Sequence, residues 1–258
     1  MITSPQNERV KLVRSLQSQT KVRRELQRLV LEGARLIRDA FHAGYLPDFL
    51  LYTADATLPG KAGAETLSLF QSQNVPCFLT SDQVMASAAD TQTPQGLIAV
   101  FPLPTHHITL PVTLALILDG VADPGNVGTI LRTAGAAGVG AVFLAPNCAD
   151  PYNPKALRAG MGAHFRVPIR IATWAQIRAE CQELLVYVAD GQGTVRYDQI
   201  DWVRPSALII GGEARGAASE AWKWAGNSAA IPMSNASESL NAAAAAAVIL
   251  FEARRQRG

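Results

Sequence analysis

Six consecutive alanines, residues 242–247, open the last helical stretch of this 258-residue chain, and Val-Ile-Leu-Phe-Glu-Ala-Arg-Arg follows them. A helix built this way has almost no side-chain bulk. Because protein interiors are close-packed, it joins a core only where neighbouring backbone comes very near. In front of it runs Ile231-Pro-Met-Ser-Asn-Ala-Ser-Glu-Ser-Leu-Asn241, a short apolar segment leading into a loop crowded with hydroxyls and amides. Residues 231–255 are therefore expected to form a cofactor-binding loop on a tightly packed helix. Plain helix capping by Ser239 and Asn241, with Asn235 and Glu238 as a box-like pair, is the alternative.

Upstream, apolar runs alternate with helical periods. Up to residue 101, strands are expected at 29–33, 49–52, 76–79 and 95–101, and helices at 5–16, 21–29, 34–43, 64–72 and 81–88. Ser4 before Pro5 fits a cap and first-turn proline. This pattern describes a small α/β domain of residues 1–104. Pro102, Pro104 and Pro111 interrupt the next ten residues, which have no amphipathic period and make the linker, with the boundary near residue 105. His106 and His107 lie in it, adjacent and without metal-site spacing. From 105 to 258, strands at 114–118, 140–145, 167–171, 185–189, 207–210 and 229–231 alternate with helices at 127–137, 154–159, 174–183, 218–224 and 240–255. Continuous apolar strands between helices indicate an α/β domain with a parallel sheet covered on both faces, whose ligands bind where strands end.

Nine of the Lys and Arg residues fall within residues 1–40, against four acids, whereas residues 41–104 carry one base and five acids. The N-terminal end is thus suited to a polyanion, or it is a solvated helix face. Cys77, Cys148 and Cys181 show no paired spacing, as expected of reduced thiols in a cytosolic protein. No metal pattern, signal peptide or bilayer-length apolar run is present, which points to a soluble, cytoplasmic chain without membrane association.

Three loops concentrate polar chemistry. In the first, Asp119-Gly-Val-Ala-Asp-Pro-Gly-Asn-Val-Gly-Thr-Ile-Leu-Arg132, Gly128 and Arg132 share a helical face, so the guanidinium can lie back over the first turn beside Asn126. A helix N-terminus there would favour an anion. Asn126 also fits a plain N-cap, Arg132 a surface arginine, and Asp119 and Asp123 turn formers. In the second, Gly211-Gly-Glu213-Ala-Arg-Gly216, glycines allow close backbone approach, and Glu213 can bind an amine, a hydroxyl or Arg132. The spacing fits neither the dinucleotide fingerprint nor the phosphate loop. The third loop is 231–241.

Together, Asn126-x-Gly128-x-x-x-Arg132, Gly211-x-Glu213-x-x-Gly216, and Ile231-Pro-Met with Ser239-Leu-Asn241 resemble the three motifs of the SpoU-type RNA 2′-O-methyltransferases of the SPOUT superfamily. Residues 1–104 resemble the ribosomal-protein-like substrate-binding module that often precedes that domain, and Pro154-Lys-Ala-Leu-Arg158 with Gly162-Ala-His-Phe is also similar. Gly160 stands where relatives commonly have serine, and residues 242–244 replace a valine–serine pair. The resemblance implies a deep trefoil knot in the C-terminal domain and a homodimer. It also implies S-adenosylmethionine held by Gly211, Ile231 and Leu240, and catalytic roles for Asn126, Arg132, Glu213, Ser239 and Asn241.

The implied reaction moves a methyl group to a ribose 2′-hydroxyl of structured RNA, with ribosomal RNA favoured by the N-terminal module. Family-based proposals make the arginine at position 132 the base; since a guanidinium stays protonated in proteins, Arg132 is expected instead to clamp phosphate and alkoxide. Transfer RNA as substrate, a non-catalytic RNA-binding assembly factor and a dinucleotide oxidoreductase are the alternatives.

Overall fold

The computed structural model describes residues 1–234 and 239–258, so the expected Asn235 and Glu238 pair lies outside the described residues. Two compact units emerge: Met1–Pro104 with Tyr152–Phe165, and Thr105–Pro151 with Arg166–Gly258.

The first unit runs α1 (Glu8–Ser18), α2 (Thr20–Leu26), β1 (Arg28–Glu32), α3 (Ala34–His42), β2 (Phe49–Tyr52), α4 (Ala62–Ser72), β3 (Cys77–Leu79), α5 (Asp82–Ala88) and β4 (Leu97–Pro102). Its sheet has the order β1-β4-β2-β3, with β4 antiparallel to β1 and β2, and β3 parallel to β2. Side chains alternate across a strand, and the burial follows that period. Leu29, Leu31, Ala99 and Phe101 join Ile37 and Phe70 on one face. Val30, Ile98 and Val100 join Val10, Val13 and Leu16 of α1 on the other.

Two expectations shift here. The α1 cap is Asn7, which accepts from Arg9 N at 3.0 Å, while Ser4 Oγ accepts from Gln6 N in the preceding turn. Asn7 stands nearer the apolar period that starts at Val10, so the helix begins there. Residues 152–165, expected within the second domain, cluster with the first unit. Their helix Pro154–Gly160, α7 in chain order, buries Leu157, and Phe165 packs against Tyr45 and Phe101 at ring-centroid distances of 5.2 and 6.1 Å.

The second unit holds β5 (Leu114–Asp119), α6 (Pro124–Ala137), β6 (Ala141–Leu144), β7 (Ile169–Ile171), α8 (Trp174–Glu180), β8 (Leu185–Ala189), β9 (Val195–Arg196), β10 (Ser206–Gly211), α9 (Ser219–Trp224), β11 (Asn227–Ala230) and α10 (Ala242–Arg257). Its sheet has the order β7-β6-β5-β10-β8-β11-β9, and every pair is parallel. All carboxyl ends therefore point to one edge. β9 has only two residues, too few to show a period in the sequence. β10 lies between β5 and β8, and β11 between β8 and β9, so later strands occupy slots between earlier ones.

Helix α10 packs along α6. Its buried residues are Ala242, Ala243, Ala246, Ile249, Leu250 and Ala253, spaced by threes and fours on one helical face. Ala242, Ala243 and Ala246 thus turn their methyls inward, and Ala246 is fully covered. Among the described residues, no helix is long and apolar enough to cross a membrane.

Burial pushes the Cys148 thiol up to about 11 and, helped by the Glu180 charge, the Cys181 thiol up to about 12; burial also raises Cys77. Only thiolates react readily. Native protein at neutral pH is expected to react slowly with Ellman's reagent and to yield three thiols at once when denatured; fast native labelling of Cys148 or Cys181 contradicts this environment. Overpacking the covered face should be equally visible. Ala246→Leu is expected to destabilise the fold by about 1–3 kcal/mol in urea titration, because α6 leaves no room for the added carbons.

Candidate active site

The site forms where β5, β8, β10 and β11 end, the position at which open parallel sheets place their ligands. β5 ends in Asp119, whose buried carboxylate accepts from Ala218 N at 2.6 Å and so ties the loop after β10 to the end of β5. Burial raises its pKa from the ordinary carboxylate value, the Ala218 N–H offsets part of that, and the charge of Glu220 adds to it. Asp119 is therefore more than a turn former.

The following helix starts three residues earlier than its period suggests. Asp123 is the N-cap, accepting from Asn126 N at 2.9 Å, and Pro124 occupies the first turn, where its missing N–H goes unused. Asn126 is accordingly not a cap, and its side chain is available for other work. Its Nδ2 donates to Glu213 Oε1, while its Oδ1 accepts from Asn241 Nδ2 at 3.2 Å. Asn241 caps α10 at the same time, its Oδ1 accepting from Ala243 N and Ala244 N at 2.9 and 3.3 Å. One residue from each of the three loops thus enters a single hydrogen-bonded chain, Glu213–Asn126–Asn241. The carboxylate lies against Asn126 in the first turn of α6, where the helix dipole favours negative charge.

Glycines in the second loop serve packing of backbone on backbone. A Cβ on Gly211 would meet Ala217 N and Gly216 C at 2.3 Å, and one on Gly212 would meet Gly120 O at 2.3 Å. Gly216 has φ +64 and donates its N–H to Gly212 O at 2.9 Å, which closes the turn.

Beside this chain lies a cavity of about 290 Å³, at the lower end of the range for small-molecule sites. Gly211, Ile231 and Leu240, the residues expected to hold a cofactor, all line it, and so do Glu213 and Ser239. Asp190 and Gly191, immediately after β8, line it too and were not singled out in the sequence. An Asp-Gly pair reads as an ordinary turn, and only the position of β8 beside β10 brings it to the site. The lining suits an adenosylated sulfonium: Ile210, Ile231 and Ile249 offer apolar surface for a flat purine, and the Asp190 and Glu213 carboxylates complement cationic groups.

Arg132 stands apart. It is exposed on α6 and, among the described residues, makes no hydrogen bond or ion pair. Glu213 takes the amide of Asn126 instead, so an Arg132–Glu213 pair is not formed.

Residues 113–251 match the SpoU rRNA Methylase family, and residues 7–99 match the MRM3-like substrate binding domain. An uncharacterized tRNA/rRNA methyltransferase of Synechocystis is 35% identical, the alignment covering 99% of this chain and 94% of the relative. RlmP of Bacillus subtilis, named as a 23S rRNA guanosine 2′-O-methyltransferase, is 30% identical over 98% of both chains. The crystal structure of the SpoU methyltransferase AviRb from Streptomyces viridochromogenes, in complex with the cofactor AdoMet, superposes with a TM-score of 0.89 at 26% identity over 98% of both chains. With its three loops joined at one cavity and these matches along nearly its whole length, the chain belongs to the SpoU rRNA methylase family.

Proposed function

We propose that the chain transfers a methyl group from S-adenosylmethionine to a ribose 2′-hydroxyl of ribosomal RNA. The observation that carries this is the Glu213–Asn126–Asn241 chain beside a cavity lined by Gly211, Ile231 and Leu240. RlmP, named for 2′-O-methylation of 23S rRNA, and AviRb, crystallised with AdoMet, support the substrate and the cofactor. A dinucleotide oxidoreductase finds no support in that family.

When bound, S-adenosylmethionine supplies a methyl group on a sulfonium, a strong electrophile. The protein's tasks are to orient the 2′-oxygen towards that methyl and to favour loss of its proton. Asn126 holds Glu213 in place, and Asn241 holds Asn126, so the three loops keep a fixed spacing around the reacting groups. Ser239 and Leu240 line the cavity from the third loop. Arg132, with no partner among the described residues, has its guanidinium free to grip an RNA phosphate and stabilise the developing alkoxide as the proton leaves to solvent or phosphate.

A homodimer and a deep trefoil knot belong to the same proposal. On α10, opposite the covered face, Ala244, Val248 and Phe251 form a helical stripe, with Val248 and Phe251 37% and 50% exposed. Such a stripe suits the same face of a second copy, which would complete each site. For the knot, the support is strand order: β10 enters between β5 and β8 after both precede it in the chain. A cytoplasmic location rests on the bacterial relatives with a ribosomal RNA substrate.

Arg132→Ala is expected to lower transfer of labelled methyl to ribosomal RNA by about 100-fold or more, the range for loss of one preorganised electrostatic group. Calorimetric affinity for S-adenosylmethionine should stay near that of the unaltered protein. Retained turnover removes Arg132 from the reaction. For the dimer, sedimentation of the unaltered protein should give twice the chain mass and Phe251→Glu should give monomer; a monomeric unaltered protein refutes the interface.

A further inference from the structure

The basic N-terminal end of the sequence is much less available than its composition suggests. Arg23 is buried and donates to the carbonyls of Leu16 and Gln17 and to Thr20 Oγ1, closing the end of α1. Arg28 pairs with Asp48, Arg38 with Glu65 at 2.6 Å, and Lys21 with Glu25 at 3.7 Å. The Arg9 guanidinium sits 4.1 Å from the centroid of the Phe78 ring. Of the nine basic side chains in residues 1–40, Lys11, Arg14, Arg24 and Arg35 have no such partner among the described residues.

Two of those four, Lys11 and Arg14, point into one groove of about 530 Å³ between α1 and the C-terminal end of α5. They share it with Ser15 and Ser18, and the four positions, at i, i+3, i+4 and i+7, form one face of α1. That face lies opposite Val10, Val13 and Leu16, which are locked into the core and hold the helix in place. The acid in the lining, Asp90, is neutralised by Arg158 at 2.6 Å, so the groove keeps the charge of both cations. Hydroxyls and amides complete it, with Gln17 and Gln19 beside the serines. Among the described residues no aromatic ring lines it, so it offers nothing on which a base can stack.

From this we infer that the α1–α5 groove of the first unit is where the phosphate backbone of the substrate RNA docks, held by Lys11 and Arg14 and read without regard to sequence. The inference rests on the RNA substrate proposed above. Cations with hydroxyl and amide donors recognise phosphate and sugar, whereas sequence is read through base edges and stacking, for which the groove has no equipment. The groove thus contributes affinity and orientation, and the choice of nucleotide falls to other surfaces.

The test uses the full chain and fluorescently labelled transcripts of 23S ribosomal RNA, with affinity measured by anisotropy between about 0.05 and 0.2 M salt. Each lost phosphate contact lowers the slope of log affinity against log salt by about 0.7–0.9. Lys11→Gln with Arg14→Gln should lower that slope by about 1.4–1.8 and weaken binding about 10-fold or more at the low-salt end. Lys11→Arg with Arg14→Lys should restore the slope, since charge is kept. Heat of S-adenosylmethionine binding, unchanged in both variants, shows that the fold survives. An unchanged slope in the glutamine variant overturns the groove, and so does an equal loss in the charge-preserving variant. Failure of the methyltransferase reading looks different: the unaltered protein would then neither bind S-adenosylmethionine nor transfer methyl, whatever the salt slopes show.

Discussion

The second unit depends on two helices that approach each other without side-chain bulk between them. With Ala242, Ala243 and Ala246 on its covered face, α10 lies close along α6, and the two helices begin side by side. Their first turns are bridged by Asn241 and Asn126. A bulkier face would push the helices apart and open a hydrogen bond of 3.2 Å. The alanine run is thus a spacing device, and the amide that connects the three loops relies on it.

Parallel strands make the same demand from below. Because every pair in the seven-stranded sheet is parallel, β5, β8, β10 and β11 all deliver their carboxyl ends to one edge. The loop after β10 is drawn against β5 by Asp119 and by glycines that admit no Cβ. The Glu213 carboxylate therefore meets Asn126 in the first turn of α6, where negative charge is favoured. Arg132 is left exposed on α6, without a partner among the described residues.

In the first unit the same economy separates structural charge from available charge. Ion pairs, a stacked arginine and the buried Arg23 use up much of the basic N-terminal stretch. Two of the remaining cations meet in a groove because α1 is amphipathic: its valines and leucine face the sheet, so Lys11 and Arg14 must face away. Residues 152–165 join this unit through Leu157 and Phe165, and Arg158 then balances Asp90 beside the groove.

The sequence alone determined the strand and helix alternation in both units and the three loops that meet at the site. Those features are local: they follow from periods of two and of 3.6, and from glycine and proline at fixed offsets. The resemblance to SpoU enzymes likewise rested on residues read directly from the chain. Tertiary structure decided the rest. Whether Asn126 caps a helix or bridges two loops depends on Asp123 taking the cap and on Asn241 arriving from more than a hundred residues away. The entry of Asp190 into the cavity, the attachment of residues 152–165 to the first unit and the pairing of Arg28 and Arg38 with Asp48 and Glu65 are likewise products of strand order and packing. No short-range pattern encodes such partners, because the residues that settle them are distant in sequence and adjacent only once the chain has folded.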